Sequence, residues 1–438
     1  MTSPLRSQRD AWHATARRSA RSRFRTRWLA FAGMVGAILL VWSLWASGVI
    51  FTGPVPLPAT QTNAPVDADD WAMAGRDAAH TAAVPFHGGF EGEELWRFES
   101  RHPLPAAPAV SGGQLFLGTG DNRLVAMDSA SGDVLWERRI SSVTVTTPAV
   151  TQGAVYVAVR DGRLLALDRR EGAELWSFQA DSSSFASPTV YRGVVYAGSW
   201  NGTLYAVDAQ TGEQLWTFRA EGSIVAPPAF QGDLMALATD DGLVYVIDLI
   251  TGKKRLIFDT VNALTESPVF TGDYFLIGTG RGRLAAIDWT RLEYPLERAL
   301  RSWRQQFFIW GLQPEPPLPK GLVWGRVLSR DSALSGPAVL DGVAYAGSRD
   351  GRLHALSIAD GTLLWEYDTG ALIHSAPAAA GRSVYIGNDA GEVHVVDRAT
   401  GEPVRIIPAG APVSGRIVVT EHRLYVTSEE TGTLIALR

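Results

Sequence analysis

Asp128, Asp168 and Asp208 stand 40 residues apart, each followed after four residues by glycine (Gly132, Gly172, Gly212) and after four more by tryptophan (Trp136, Trp176, Trp216). A carboxylate repeated beside glycine could serve calcium, and His354 and His394, also 40 apart, could offer imidazoles to a transition metal. Neither set has the spacing such chemistry needs. A calcium loop gathers several oxygens within about a dozen residues, whereas Asp161-Gly162, Asp241-Gly242 and Asp350-Gly351 are the Asp-Gly pairs of hairpin turns. Two histidines at equivalent places in successive units lie one unit apart, and they read as structural or solvated strand residues. The chain has no cysteine, which excludes disulfides, thiolate metal sites and a cysteine nucleophile.

The elements that carry these residues repeat. Pro108, Pro148, Pro188, Pro228 and Pro268 keep the same interval, and Trp96, Trp136, Trp176 and Trp216 each precede the next unit by 12. Within a unit, four short apolar runs alternate with glycine-bearing turns, as in Ala154 to Val159, Leu164 to Asp168 and Glu174 to Phe178. Four strands in 40 residues leave no room for the helices of a helical solenoid and match the blade of a β-propeller. The series resumes at Pro337 and Pro377 and reaches Ile417 in phase, which makes eight units. The eighth stops at Arg438 before a fourth strand. An open blade would expose an unpaired edge, so Glu93 to Phe98, a fourth strand without a blade, is expected to close the ring. Trp71 to His80 is expected against the outside or lower face.

The phrase Ala-x-Asp-x-x-x-Gly-x-x-x-Trp, at Ala126 to Trp136, Ala166 to Trp176 and Ala206 to Trp216, resembles the pyrroloquinoline-quinone (PQQ) type propeller repeat. The chain from about residue 71 to its end is similar in size and plainness to the BamB outer-membrane assembly lipoprotein family. That resemblance implies an all-β, eight-bladed propeller acting as a non-catalytic scaffold, with envelope or secreted proteins as clients. It also implies that Gly132, Gly172, Gly212 and Gly361, with Trp96, Trp136, Trp176, Trp216 and Trp365, dock neighbouring blades and bind no cofactor. Physically, glycine supplies positive φ in the turn and tryptophan covers the gap to the next blade. Leu256 and Arg405 replace tryptophan, Ser357 replaces aspartate and Trp324 is displaced by one residue, so looser contacts are expected there. The alternative within the same fold is a quinone-dependent dehydrogenase, with PQQ and calcium, or a sensor of a small ligand. Such enzymes carry long insertions and calcium-binding Glu, Asn and Asp. Asn262 and Glu266 are the nearest candidates, with ordinary polar loop residues as the other reading, so no catalytic, cofactor or metal residue is assigned.

Ahead of the repeats, residues 1–27 hold eight arginines against one acid, and residues 28–51 carry no charge. The uncharged stretch is long enough to cross a hydrocarbon core of about 30 Å as a helix, and the basic flank stays inside. Residues 52–70, with four prolines, read as a tether. The expectation is a single-pass protein of the cytoplasmic membrane whose propeller, residues 71–438, lies outside the cytoplasm, as a monomer. A net charge of −5 provides no field for nucleic acid.

Two surfaces remain for binding. The turns between second and third strands carry Trp200, Arg123, Arg163, Arg283 and Arg352, a candidate rim around one mouth of the channel, or a solvated edge. An insertion at about 289–324 holds Leu292, Leu296, Ala299, Leu300, Trp303, Phe307 and Trp310 at helical spacing, with Arg298, Arg301 and Arg304 on another side. That stripe is expected either to pack on the propeller wall or to meet a membrane interface or a partner's groove.

Overall fold

A computed structural model describes residues 70–85, 89–183, 186–260, 262–264, 266–292, 297–312, 314–315, 317–330 and 332–438. The expected basic segment, membrane anchor and tether lie outside these residues, apart from Asp70. No described helix is long and apolar enough to cross a membrane.

Each blade is an antiparallel four-stranded sheet, to which Ala83–Val84 adds a fifth, parallel strand beside Ala378–Ala380 of the seventh. In the first, Ala109–Ser111, Gln114–Thr119, Arg123–Asp128 and Val134–Arg139 pair in chain order from the channel outward. The second and third strands are almost wholly buried because they are covered on both faces, whereas the fourth is exposed apart from the half-buried Trp136. Seven further blades follow, with inner strands at Ala149–Val150, Thr189–Tyr191, Ala229–Gln231, Val269–Thr271, Ala338–Leu340, Ala378–Ala380 and Val418–Val419. In the last, Glu94–Glu99 pairs with Thr433–Leu437, setting Trp96 opposite Ala436. The ring therefore closes by joining the two ends of the repeat, and an otherwise open strand edge is paired.

The blades are sewn by a repeated contact. Trp136 Nε1 donates to the Arg169 carbonyl at 3.0 Å and Trp176 Nε1 to that of Ala209 at 3.1 Å. At the closing seam Trp96 Nε1 and Tyr425 Oη, from opposite ends of the repeat, both donate to the Ser129 carbonyl. The accompanying glycines are required. A β-carbon on Gly132 (φ 78°) would stand 2.7 Å from Trp96 Cδ2, and Gly172 and Gly212 meet Trp136 and Trp176 in the same way.

The departures from the repeat are accommodated differently. Trp324 faces Ala286 as Trp136 faces Ala126, packs on Gly361 and donates to the Ile358 carbonyl at 2.7 Å. The insertion lies in the turn before it, and Gly321 stands where Asp133 stands in the first blade, its carbonyl accepting from the Asp288 N–H as that of Asp133 does from Asp128; the glycine is displaced, the tryptophan keeps its register, and this seam has the ordinary contact. Leu256 is buried against Gly321, and Arg405 donates to the Glu91 carbonyl.

One expectation is overturned. Trp71 to His80 does not lie on the outside or lower face: with Thr81 to Val84 it follows the inside of the ring. Trp71 exchanges hydrogen bonds with Val110, and the carbonyls of Ala72, Ala78, Ala79, Thr81 and Ala82 accept from Val150, Phe230, Phe270, Val339 and Ala379. The physical reason is the free edge of each inner strand, whose N–H groups need acceptors once buried. Small side chains let the collar approach. Trp71 and His80 are 1% and 3% exposed, which an outer or lower surface would not give.

Between Asp288 and Leu322 the insertion forms a helix, α1 (Glu297–Ile309). It ends where Gly311 (φ 71°) and Leu312 donate back to the Phe308 and Phe307 carbonyls, a glycine-terminated last turn.

Candidate functional site

The repeated aspartates and His394 are engaged in structural bonds. Asp128 Oδ1 accepts from the backbone N–H of Ala130 and Ser131 at 2.8 and 2.9 Å, and the Ser131 bond foremost holds the carboxyl below its usual range. Asp168 and Asp208 close their turns likewise. His394 lies between Tyr367 Oη at 2.9 Å and Asn388 Nδ2 at 3.0 Å. His354, in the preceding blade, is buried with Glu366 Oε2 3.3 Å from Nδ1. Burial lowers the pKa of both rings and keeps them neutral.

The turns between second and third strands do share a face with the loops that lead into each blade. The N–H groups of Arg160, Trp200, Asp240, Arg349 and Asp389 donate to carbonyls of Val143, Ser183, Ser223, Ala333 and Leu372. Trp200 is well exposed there. The arginines sit farther along the blade, and Arg123, Arg163 and Arg352 are held by carboxylates. Arg123 meets Asp121 and Glu137, Arg163 Nε meets Asp161 at 3.1 Å, Arg352 meets Glu366, and the Arg283 guanidinium lies against Gly325. Arg123 and Arg352 thus tie third strands to fourth.

The channel holds a group that the sequence reading left unassembled. Arg416 stands two residues before the eighth inner strand, where other blades carry uncharged residues such as Ala107, Thr147, Ser187 and Ala376, and Glu266 stands one place earlier in the fifth unit, where others carry Ala106, Thr146, Ala226 and Ser375. Both come to Gly336, in the sixth blade: Arg416 Nη2 and Glu266 Oε2 each lie 2.7 Å from the point where a β-carbon would stand. Burial raises the Glu266 pKa, opposed by the Arg416 charge and by the Gly336 N–H that its carboxylate accepts. His80, from the collar, is pushed down to about 3 by burial and then by Arg416, and its ring bonds the Pro228 carbonyl. The signal was legible as a break in the 40-residue pattern: one arginine where every equivalent position is uncharged. What could not be read was that the Glu266 and Arg416 side chains, from the fifth and eighth units, both reach Gly336 of the sixth.

A calcium-held quinone would need several oxygen donors around one point. Asn262 Nδ2 is turned to the Thr260 carbonyl at 3.2 Å, and Glu266 faces a guanidinium, whose charge opposes a cation. Among the described residues no three carboxylates or imidazoles converge. These side chains do not fit that group.

α1 carries the predicted stripe. Leu300, Trp303 and Phe307 are 59%, 61% and 40% exposed, Trp310 follows the last turn, and the Phe307 and Trp310 rings lie 6.2 Å apart. Arg298, Arg301 and Arg304 belong to the same helix, while Leu292 precedes it.

Residues 89–198, 182–305 and 303–404 match a family profile, PQQ_2, described as outer membrane protein assembly factor BamB. The chain belongs to the PQQ_2 propeller family. Among solved structures this PQQ_2 propeller is similar to BamB from Moraxella catarrhalis, with 18% identity and a TM-score of 0.62 over 79% of this chain and 97% of that one. It is similar to the computationally designed Ika8 protein, with 19% identity and a TM-score of 0.64 over 80% and 99%. It is also similar to quinohemoprotein alcohol dehydrogenase from Comamonas testosteroni, with 15% identity and a TM-score of 0.66 over 84% and 80%. At such identities the likeness is one of fold. No curated protein sequence matches the PQQ_2 propeller.

Proposed function

We propose that this PQQ_2 propeller is a membrane-anchored, extracytoplasmic scaffold that binds proteins of the cell envelope and performs no covalent turnover. The observation that carries the reading is the contrast between engaged and free groups. The repeated aspartates and tryptophans that resemble a site are held by backbone partners. The groups left exposed, Leu300, Trp303, Phe307 and Trp310 on and beside α1, are those of a recognition surface. The family description, an outer membrane protein assembly factor, agrees with protein recognition as the task. The uncharged segment 28–51 with its basic flank supports an anchor whose propeller faces away from the cytoplasm.

The test places a photo-crosslinking residue at Trp303 or at Trp200 in the full chain in cells, and separately deletes residues 294–311. The reading expects a discrete protein adduct from position 303 in the full chain, and an adduct from position 200 that the deletion abolishes while the propeller still folds. Capture that survives the deletion unchanged would remove α1 from the interface and leave the loop face around Trp200 as the contact.

A further inference from the structure

The seam between the first and second blades departs from the repeat at two facing positions. Two residues after the fourth-strand tryptophan other blades carry an aromatic residue, as at Phe178, Phe218 and Tyr367, and the first carries Arg138. In those three seams the ring lies against one on the third strand of the next blade. Phe178 meets Tyr205 with centroids 5.5 Å apart, Phe218 meets Tyr245 at 5.4 Å and Tyr367 meets His394 at 5.6 Å. The second blade has Leu165 at the register of Tyr205. Both rings are therefore missing at this seam, and a cavity of about 460 Å³ lies there, lined by Arg138 and Leu165 among others. Arg163, Leu165 and Leu167, alternate residues on one face of their strand, form one wall.

One end of the cavity is rich in donors. Among the described residues the Arg138 side chain has no ion-pair or hydrogen-bond partner, whereas Arg326, the arginine at the same register of the fifth blade, donates to the Gly361 carbonyl at 3.1 Å. Arg163 bonds Asp161 through Nε alone, which leaves its Nη groups available. Ser141 supplies a third donor. Its equivalents, Asp181 and Glu221, donate their N–H groups to Tyr205 and Tyr245 Oη at 3.1 and 3.0 Å, but with leucine in place of tyrosine the Ser141 N–H has no acceptor among the described residues. Glu174 lines the cavity beside Leu167, four residues from Arg163 along the strand, roughly 13 Å away. The cavity thus has a cationic end, an apolar wall and a carboxylate end.

Three donors around one end suit the three terminal oxygens of a phosphomonoester, which arginine binds as a fork. The carboxylate at the far end repels that dianion and accepts from hydroxyls, and the leucines suit the C–H face of a sugar ring. We propose that this seam binds a sugar phosphate, its phosphate on Arg138, Arg163 and the Ser141 N–H and its hydroxyls toward Glu174. Arg139, which also lines the cavity, adds positive charge. The volume is that of a small-molecule site, for which about 300–1,000 Å³ is usual. The inference rests on the first two blades and is independent of the scaffold reading.

The test is calorimetric titration of the purified full chain with glucose 6-phosphate, and with glucose and inorganic phosphate as its two halves. The expected result is saturable binding of glucose 6-phosphate, with each half about tenfold weaker or more. The decisive variant restores the repeat: Arg138→Phe with Leu165→Tyr rebuilds the ring pair of the other seams and should abolish binding without lowering the melting temperature. Arg138→Gln, at an exposed side chain, should weaken glucose 6-phosphate about tenfold and serves if the double variant is unstable. Glu174→Gln should weaken glucose 6-phosphate and leave inorganic phosphate unchanged. Absence of binding to the parent chain up to about 10 mM, the weak end of specific recognition, overturns the proposal. So does unchanged affinity in both Arg138 variants, and inorganic phosphate binding as tightly as glucose 6-phosphate overturns the sugar. The crosslinks at Trp303 and Trp200 probe other residues, so failure here is distinguishable from failure of the scaffold reading.

Discussion

At Gly132 a β-carbon would meet Trp96 Cδ2 at 2.7 Å, and the backbone stands at φ 78°. Alanine there must accept a left-handed conformation and displace an indole at the closing seam. Gly132→Ala is therefore predicted to cost about 2–4 kcal/mol, combining backbone strain with overpacking, read as a lower denaturant midpoint. Gly113 has a similar φ of 77° but open space around its Cα, so Gly113→Ala should show the backbone part alone. Equal losses at the two positions would mean that the tryptophan contact contributes nothing.

Among elements, Glu94–Glu99 carries the heaviest structural duty, because it completes the last blade and supplies one of the two groups on the Ser129 carbonyl. Its removal uncovers the edge of Thr433–Leu437 and breaks the ring. A chain lacking residues 94–99 is predicted to melt well below the parent and to aggregate through the open edge; a variant that melts like the parent would refute closure by this strand. The strand was legible because Trp96 keeps the 12-residue interval to Pro108. The collar was not. Its bonds to the inner strands run through backbone carbonyls of Ala72, Ala78, Ala79, Thr81 and Ala82, which leave no periodic side-chain trace. Trp324 shows the opposite case: counting from the turn glycine misplaces it, while the strand pairing with Ala286 puts it in register. Side-chain periodicity thus reports what neighbouring blades need from one another, and says little about what fills their common centre.

For the whole molecule, the same repeat supports two ways of life, a recognition ring and a quinone enzyme, and fold alone does not separate them. We propose that the centre separates them. In this chain the inner edges are occupied by its own collar, Asn262 is turned into its loop, and Glu266 faces Arg416. Arg416 breaks the repeat pattern in the sequence, but its neighbour Glu266 could not be read there, because only the closed ring brings both side chains to Gly336. The central claim is that this ring recognises and does not catalyse. The most direct measurement incubates the purified full chain with PQQ and calcium, removes free quinone by gel filtration, and assays dye reduction with alcohols and sugars. The account predicts a protein peak without quinone absorbance and no dye reduction above the quinone-free control. Retained quinone that supports substrate-dependent dye reduction would contradict it.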